Sequence, residues 1–392
     1  MHNKFKLTGG GIITPDRNIG IGTLLVEDGR ISGVEKGEVE ASEYTDVDVS
    51  GRYVMPGFID LHSHGAGNSD FMDCTVEDCI EIAKEHARHG TTLLFPTTLA
   101  SDNSEMMKFL EVYENVKDQK EGSAFGGLHL EGPYFSYEFR GAQDPKYLKN
   151  PDPADYMPIL EATNDIKRWS VAPELPGALE LGRLLCKRGI IPSIAHTSAI
   201  YDDVIEAYEA GFTLITHFYS CMNGVIRRNA YRHAGCIEAG YLIDGMTLEV
   251  ICDGIHVPKE LLKLIVKIKG TDKVVLCTDS MRGAGMPDGT KSILGSRDNG
   301  QEVIIEDGVA KMPDRTCFAG SVATTDRLIR TMHFIAEQSL ADSVKMVTEN
   351  PANVMGVGNR KGRLQKGYDA DIVVCSEKLY AEQTYVMGKR VF

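Results

Sequence analysis

The stretch Val54-Met55-Pro56-Gly57-Phe58-Ile59-Asp60-Leu61-His62-Ser63-His64 decides the fold. An apolar run ends in two histidines separated by one residue. On a strand, residues i and i+2 share a face, so both imidazoles point the same way. The same ending recurs further along the chain. Phe125-Gly-Gly-Leu-His-Leu runs into Glu131, Ile190-Ile-Pro-Ser-Ile-Ala into His196, Phe212-Thr-Leu-Ile-Thr into His217, and Lys273-Val-Val-Leu-Cys-Thr into Asp279. Six candidate metal ligands therefore stand at the ends of five apparent strands.

Helical patterns fall between these runs. From Val76 to His89, apolar residues at 76, 79, 80, 83 and 87 repeat with the helical period, with acids early and Gly90 at the end. Further helices are expected near 178–188, 202–210 and 257–268, and strands at 124–130, 169–172, 190–195, 212–216, 247–252 and 273–278. Strands alternating with helices over most of the chain predict an α/β fold, a (β/α)8 TIM-like barrel first and a doubly wound sheet second. No Gly-x-Gly-x-x-Gly opens a helix after a strand, and no phosphate-binding P-loop is present.

The two ends read differently. Residues 1–55 are short apolar runs divided by Gly, Pro and an Asp28-Gly29 hairpin signal, and residues 360–392 look alike. They are expected to pair into one small β-sandwich domain around a barrel of residues 56–359.

In a barrel, strand C-terminal ends open onto a single face, where active sites form. A lone histidine after an apolar run is an ordinary core or capping residue, whereas five consecutive strand ends carrying ligand types are not chance. Imidazole and carboxylate sets suit Zn²⁺ or Fe²⁺, and no thiolate set competes. His129 shares a strand face with Glu131 and fits a role supporting a ligand. His86, His89 and His333 lie in helical patterns and read as surface residues, and Trp169 as a packing residue.

Composition narrows the partners. With 42 Lys+Arg against 56 Asp+Glu the net charge is −14, which disfavours nucleic acid and anionic membranes. No apolar run is long enough to span a bilayer. The opening Met1-His2-Asn3-Lys4-Phe5 lacks the apolar core of a signal peptide. The nine cysteines form no C-x-x-C pair and sit largely in apolar runs, as free thiols in a reducing cytoplasm do. Glycine, 40 of 392 residues, exceeds the usual ~7% and points to tight turns or close backbone approach to a ligand.

The segment Pro-Gly-Phe-Ile-Asp-Leu-His-Ser-His-Gly resembles the metal-dependent amidohydrolase superfamily. The ordered set Gly-Leu-His-Leu-Glu-Gly-Pro-Tyr, Ala-His-Thr, Thr-His-Phe-Tyr, Asp-Gly-Ile-His and Thr-Asp-Ser is similar to the N-acetylglucosamine-6-phosphate deacetylase family over nearly the whole chain. This resemblance implies that Glu131, His196 and His217 hold the main metal ion. It implies that His62 and His64 hold a second, with Glu131 bridging, so two divalent ions per subunit are expected. Asp279 matches the catalytic carboxylate, which also faces the metal. Ala142, Gln143, Ser220, Cys221, Asp253, His256 and the Phe318-Ala319-Gly320 segment match positions around the sugar. Arg227 or Arg228 matches a phosphate-binding arginine supplied across a homodimer interface.

Three departures from the family pattern stand out. Gln143 replaces the histidine of Gly-Ala-His, Ser220-Cys221 replaces Asn-Ala, and the loop around Arg228 is one residue longer. The implied reaction is hydrolysis of the acetamide of N-acetyl-D-glucosamine 6-phosphate. Alternatives are another N-acyl amino-sugar phosphate such as N-acetylgalactosamine 6-phosphate, a non-phosphorylated amide, or a non-catalytic binding protein.

Overall fold

The computed structural model describes residues 4–392; the opening Met1-His2-Asn3 lies outside the described residues. The architecture is mixed α/β, built on curled parallel sheets with an antiparallel sheet beside them.

Six strands form one parallel sheet in chain order: Leu128–Glu131, Ile166–Val171, Ile191–Ile194, Leu214–Ile215, Thr247–Ile251 and Val274–Cys277. A second parallel sheet holds Phe58–Ser63, Thr91–Pro96 and Ala124–Phe125. Two parallel bridges, Thr97 to His129 and Ser63 to Ser280, tie the edges of these sheets together. The expected strands all form, and helices Val76–Arg88, Ala178–Lys187, Tyr201–Glu209 and Lys259–Lys269 lie where periodicity placed them. Central parallel strands covered on both faces need continuous apolar runs, which is how these read in sequence.

The chain ends do share a sheet. Strand Ile372–Cys375 pairs antiparallel with Tyr53–Pro56, which pairs with Lys4–Ile13, and Asn18–Glu27 and Arg30–Lys36 follow. The turn between the last two places Asp28 at φ 49° and Gly29 at φ 80°, the left-handed pair that a two-residue hairpin needs. Phe5, Leu7, Leu24, Val26, Ile372 and Val374 make a separate apolar cluster under this sheet. The chain crosses from this sheet into the parallel strands at Gly57, where a Cβ would lie 2.3 Å from the Thr92 side chain. Only glycine allows the two layers to approach so closely.

The largest core lies between the parallel sheet and its helices. Trp169 is fully buried there, stacked on Tyr134 at 5.7 Å and donating from Nε1 to the Gly132 carbonyl at 2.9 Å. The packing role expected of Trp169 is thus its role in the structure.

Of the three helical histidines read as surface residues, His86 corrects that reading, and His89 and His333 are half-buried. His86 is buried and bonds Ser63 Oγ through Nε2 at 2.9 Å. Burial holds its pKa down at about 3, so it is neutral. His333 is half-buried, with Nδ1 on the Gln338 carbonyl. His89 lies between Glu85 (3.4 Å) and Asp326 (3.5 Å). For His86 the helical period alone misleads, because several neighbouring elements pack on helix Val76–Arg88.

Burial alone would lower the pKa of His89, yet Asp326 and Glu85 override it and raise it to about 9. A raised imidazole stabilises the fold fully below its ordinary value near 6.5, and that contribution fades as pH rises through about 9. With the side chain 29% exposed, the interaction is discounted to about 1–2 kcal/mol. Calorimetry of His89→Gln should show a clear loss of melting temperature at pH 6 and almost none at pH 10. An equal loss at both would remove the ion-pair explanation.

Candidate metal centre and active site

The parallel strands deliver the ligand types to one place. His62 lies within Phe58–Ser63 and His64 just beyond it, Glu131 ends Leu128–Glu131, and His196, His217 and Asp279 follow their strands by two residues. All six are at most 7% exposed. Glu131 is the shared member. Its Oε1 lies 3.1 Å from His217 Nε2, 3.3 Å from His196 Nε2 and 3.5 Å from His62 Nε2, and its Oε2 lies 3.4 Å from His64 Nε2. Asp279 Oδ1 sits 3.2 Å from His64 Nε2 and 3.4 Å from His62 Nε2. Two ligand groups capable of holding an ion result, His62–His64–Glu131 and Glu131–His196–His217.

The backbone is held out of its usual range to do this. His196 (φ 46°), His217 (φ 31°) and Asp279 (φ 47°) all occupy the left-handed region, as do Tyr219 and Cys221 beside them. Such conformations cost about 1–3 kcal/mol each and cluster at functional sites. Gly320 (φ 65°) covers Asp279, with its α-carbon so close that a Cβ would stand 3.1 Å from the Asp279 carbonyl oxygen.

The donor set fits a divalent cation. Nε2 atoms of His196 and His217 are 3.2 Å apart, and those of His62 and His64 3.3 Å. Four ligands at Zn–N lengths around a tetrahedron are separated by roughly 3.3–3.4 Å. Electrostatics agree. Burial alone would depress the histidines, but Asp279 and Glu131 raise His62 to about 9 and His64 to about 10. Burial in turn would raise Glu131, yet the surrounding imidazoles hold it well below the ordinary carboxylate range. Asp279 is likewise held down, against burial, by His62 and His64. The site calls for positive charge.

A cavity of about 510 Å³ opens over this cluster. Of the expected sugar-binding positions, Ala142, Gln143, Ser220, Cys221, His256, Phe318 and Gly320 line it. Asp253 stands behind His256, taking its Nδ1 hydrogen bond at 2.7 Å, and Ala319 is buried in a small apolar cluster. Arg227 and Arg228 sit on an exposed hairpin, Ile226–Arg228 with Tyr231–His233, away from the cavity of their own chain. His129 packs edge-on against His62 at 4.6 Å and bonds Ser170, in keeping with a supporting place.

Three features escape a reading of the sequence. Lys311 and Arg315 reach the cavity wall from an antiparallel meander after Asp279. Glu249 lies under His62, bonded to its Nδ1 at 3.1 Å and paired with Arg168. Gln143 does not reach freely into the cavity: its Nε2 donates to Glu131 Oε2 at 2.8 Å and its Oε1 accepts from the Ala100 N–H at 2.9 Å. A Gly-Ala-Gln motif shows only that the residue changed, not where its amide points.

Similarity to known proteins agrees with this geometry. The chain belongs to the amidohydrolase family, whose model matches residues 53–391. It is 31% identical to the N-acetylglucosamine-6-phosphate deacetylase of Bacillus subtilis (strain 168), over 97% of this chain and 95% of that one. It is 28% identical to the N-acetylgalactosamine-6-phosphate deacetylase of Escherichia coli O157:H7, over 93% of each. Among solved structures, a mutant of the Mycobacterium smegmatis N-acetyl-D-glucosamine-6-phosphate deacetylase in complex with N-acetyl-D-glucosamine-6-phosphate superimposes with a TM-score of 0.91 at 27% identity, covering 99% of both chains.

The Gln143 contacts yield a stability test. Gln143→Leu leaves the Ala100 N–H unpaired in a buried setting and takes one donor from Glu131 Oε2, which should cost about 1–3 kcal/mol in urea unfolding. An unchanged midpoint would show that the amide is not held as described.

Proposed function

We propose that this protein hydrolyses the acetamide of N-acetyl-D-glucosamine 6-phosphate to D-glucosamine 6-phosphate and acetate. The observation that carries the reading is the convergence of His62, His64, Glu131, His196, His217 and Asp279 beneath one cavity. The nine parallel strand segments from Phe58–Ser63 to Val274–Cys277 are joined by the Thr97–His129 and Ser63–Ser280 bridges; with Ala124–Phe125 and Leu128–Glu131 taken as one stretch beside Thr91–Pro96, they support a (β/α)8 barrel of residues 56–359. Residues 1–55 and 360–392 then make the small β domain.

Glu131, His196 and His217 would hold one divalent ion, Zn²⁺ or Fe²⁺, and His62 and His64 a second that shares Glu131. Such an ion supplies a water of lowered pKa and polarises the scissile carbonyl. Asp279, kept ionised by His62 and His64, accepts the proton of the attacking water. It returns that proton to the amine nitrogen as the C–N bond breaks, without which the amine is a very poor leaving group. Ala142, Ser220, Cys221, Asp253 through His256, and Phe318 through Gly320 surround the sugar. His256 Nε2 is left available because Nδ1 is engaged by Asp253. Arg227 or Arg228 of the partner subunit in a homodimer would complete the phosphate site, a dianion being best held by charged donors. The nine free thiols accord with a cytoplasmic setting, and no helix among the described residues is long and apolar enough to cross a membrane.

A second reading is the galactosamine epimer, the sugar named for the Escherichia coli O157:H7 relative that is 28% identical. Acetate release from both epimers, measured side by side, decides between them.

Three outcomes test the principal reading. Asp279→Asn should reduce kcat by at least about 10²-fold, and chelation should abolish turnover, restored by Zn²⁺ or Fe²⁺. Unphosphorylated N-acetylglucosamine should react far more slowly than its 6-phosphate. Equal rates would remove the phosphate contacts from the reading, and no acetate from any phosphorylated sugar would sink it.

A further inference from the structure

We infer that Glu249, charge-paired with Arg168, is a positioning residue of the metal centre: it sets the tautomer of His62 and braces the backbone of His217. The inference rests on the proposed reading of His62 as a cation ligand.

Glu249 projects from strand Thr247–Ile251 and is fully buried. Its Oε1 receives three contacts: His62 Nδ1 at 3.1 Å, Arg168 Nη2 at 3.0 Å and the His217 backbone N–H at 3.4 Å. Its Oε2 takes Arg168 Nη1. One carboxylate thus touches a residue from each of the two ligand groups. A carboxylate only accepts hydrogen bonds, so the neutral His62 ring must carry its proton on Nδ1. Nε2 is then left as a lone pair facing Glu131 and Asp279. At His217 the same oxygen meets the amide of a residue held at φ 31°.

Arg168 explains why the carboxylate stays charged and fixed. It is 0% exposed, and its remaining donors reach Ser193 Oγ at 3.0 Å, Thr216 Oγ1 at 2.7 Å and the Leu61 carbonyl at 3.5 Å. The guanidinium also decides a competing reading. His62, Glu249 and Cys277 bring three ligand atoms close enough for an ion, but both Glu249 oxygens already face a permanent cation, and a second would be repelled. Stability does not account for the pair, since exchanging a buried ion pair for apolar residues of similar volume is often neutral or stabilising. Orientation of His62 does.

The test compares Arg168→Met/Glu249→Gln with Arg168→Met/Glu249→Leu, both free of an unpaired buried charge. Glutamine keeps the acceptor oxygen for His62 and leucine removes it. Zinc affinity by chelator competition and zinc per chain by mass spectrometry should stay within about threefold of wild type for the Gln protein. They should fall about 10–100-fold in affinity for the Leu protein, the usual effect of losing a ligand's hydrogen-bond partner. Wild-type zinc binding in the Leu protein, or equal losses in both, overturns the inference. Should either variant fail to fold, ¹⁵N spectra of zinc-loaded wild-type protein, assigned with His62→Gln, give the answer directly. A proton on Nδ1 supports the inference and a proton on Nε2 overturns it. Zinc binding that follows this pattern without acetate release would remove the substrate reading and leave the inference standing, whereas wild-type protein that binds no zinc removes both.

Discussion

Everything around the cavity answers to one electrostatic constraint: two buried carboxylates, Glu131 and Asp279, face four imidazole nitrogens within 3.1–3.5 Å. Carboxylates taken out of water demand compensating charge. Converging nitrogen lone pairs demand a metal cation between them. A protonated cluster would satisfy the first demand and a divalent ion both. The raised affinity of His62 and His64 for protons is the same attraction seen without the ion.

Holding such a cluster together requires structure beneath it as well as beside it. From below, Glu249 and Arg168 link His62 and the backbone of His217 to strands on the far side. From the side, Gln143 links Glu131 to the Ala100 backbone. Behind Asp279, Ser280 bonds Ser63 at 2.9 Å, and Ser63 bonds the neutral imidazole of His86. The left-handed backbone at His196, His217 and Asp279 is thereby fixed from several directions, which is what lets strained conformations persist.

These supports mark the boundary of what could be read in advance. Residues whose type and place follow from strand position were legible: His62, His64, Glu131, His196, His217 and Asp279 each end an apolar run, parallel strand ends share one face, and period-two geometry sets His62 and His64 side by side. The paired chain ends and the Asp28-Gly29 hairpin were legible for the same local reason. Glu249 and Arg168 were not, because a charged residue inside an apolar run carries no sign of its partner on a strand 81 residues away. His86 was misread because its burial depends on the layer packed over its helix. The destination of the Gln143 amide depends on Ala100, which precedes it by 43 residues.

The charge balance of the cavity bears on how an anionic substrate would be met. The chain is acidic overall, and the cluster itself contributes two carboxylates. The cations at the cavity wall are already engaged. Lys311 is bonded to Asp307 at 2.6 Å, and Arg315 reaches Glu306 through Nε at 2.8 Å and the Pro313 carbonyl through Nη1 at 2.9 Å. Under the proposed reading, further positive charge for a phosphate would come from ions at the centre or from residues outside this chain's own cavity. Arg227 and Arg228 are exposed on a hairpin outside this cavity, with Tyr231 76% exposed beside them. Under the proposed reading, arginines of a partner would complete the binding of the charged end of the sugar, while the six candidate ligands all come from one chain.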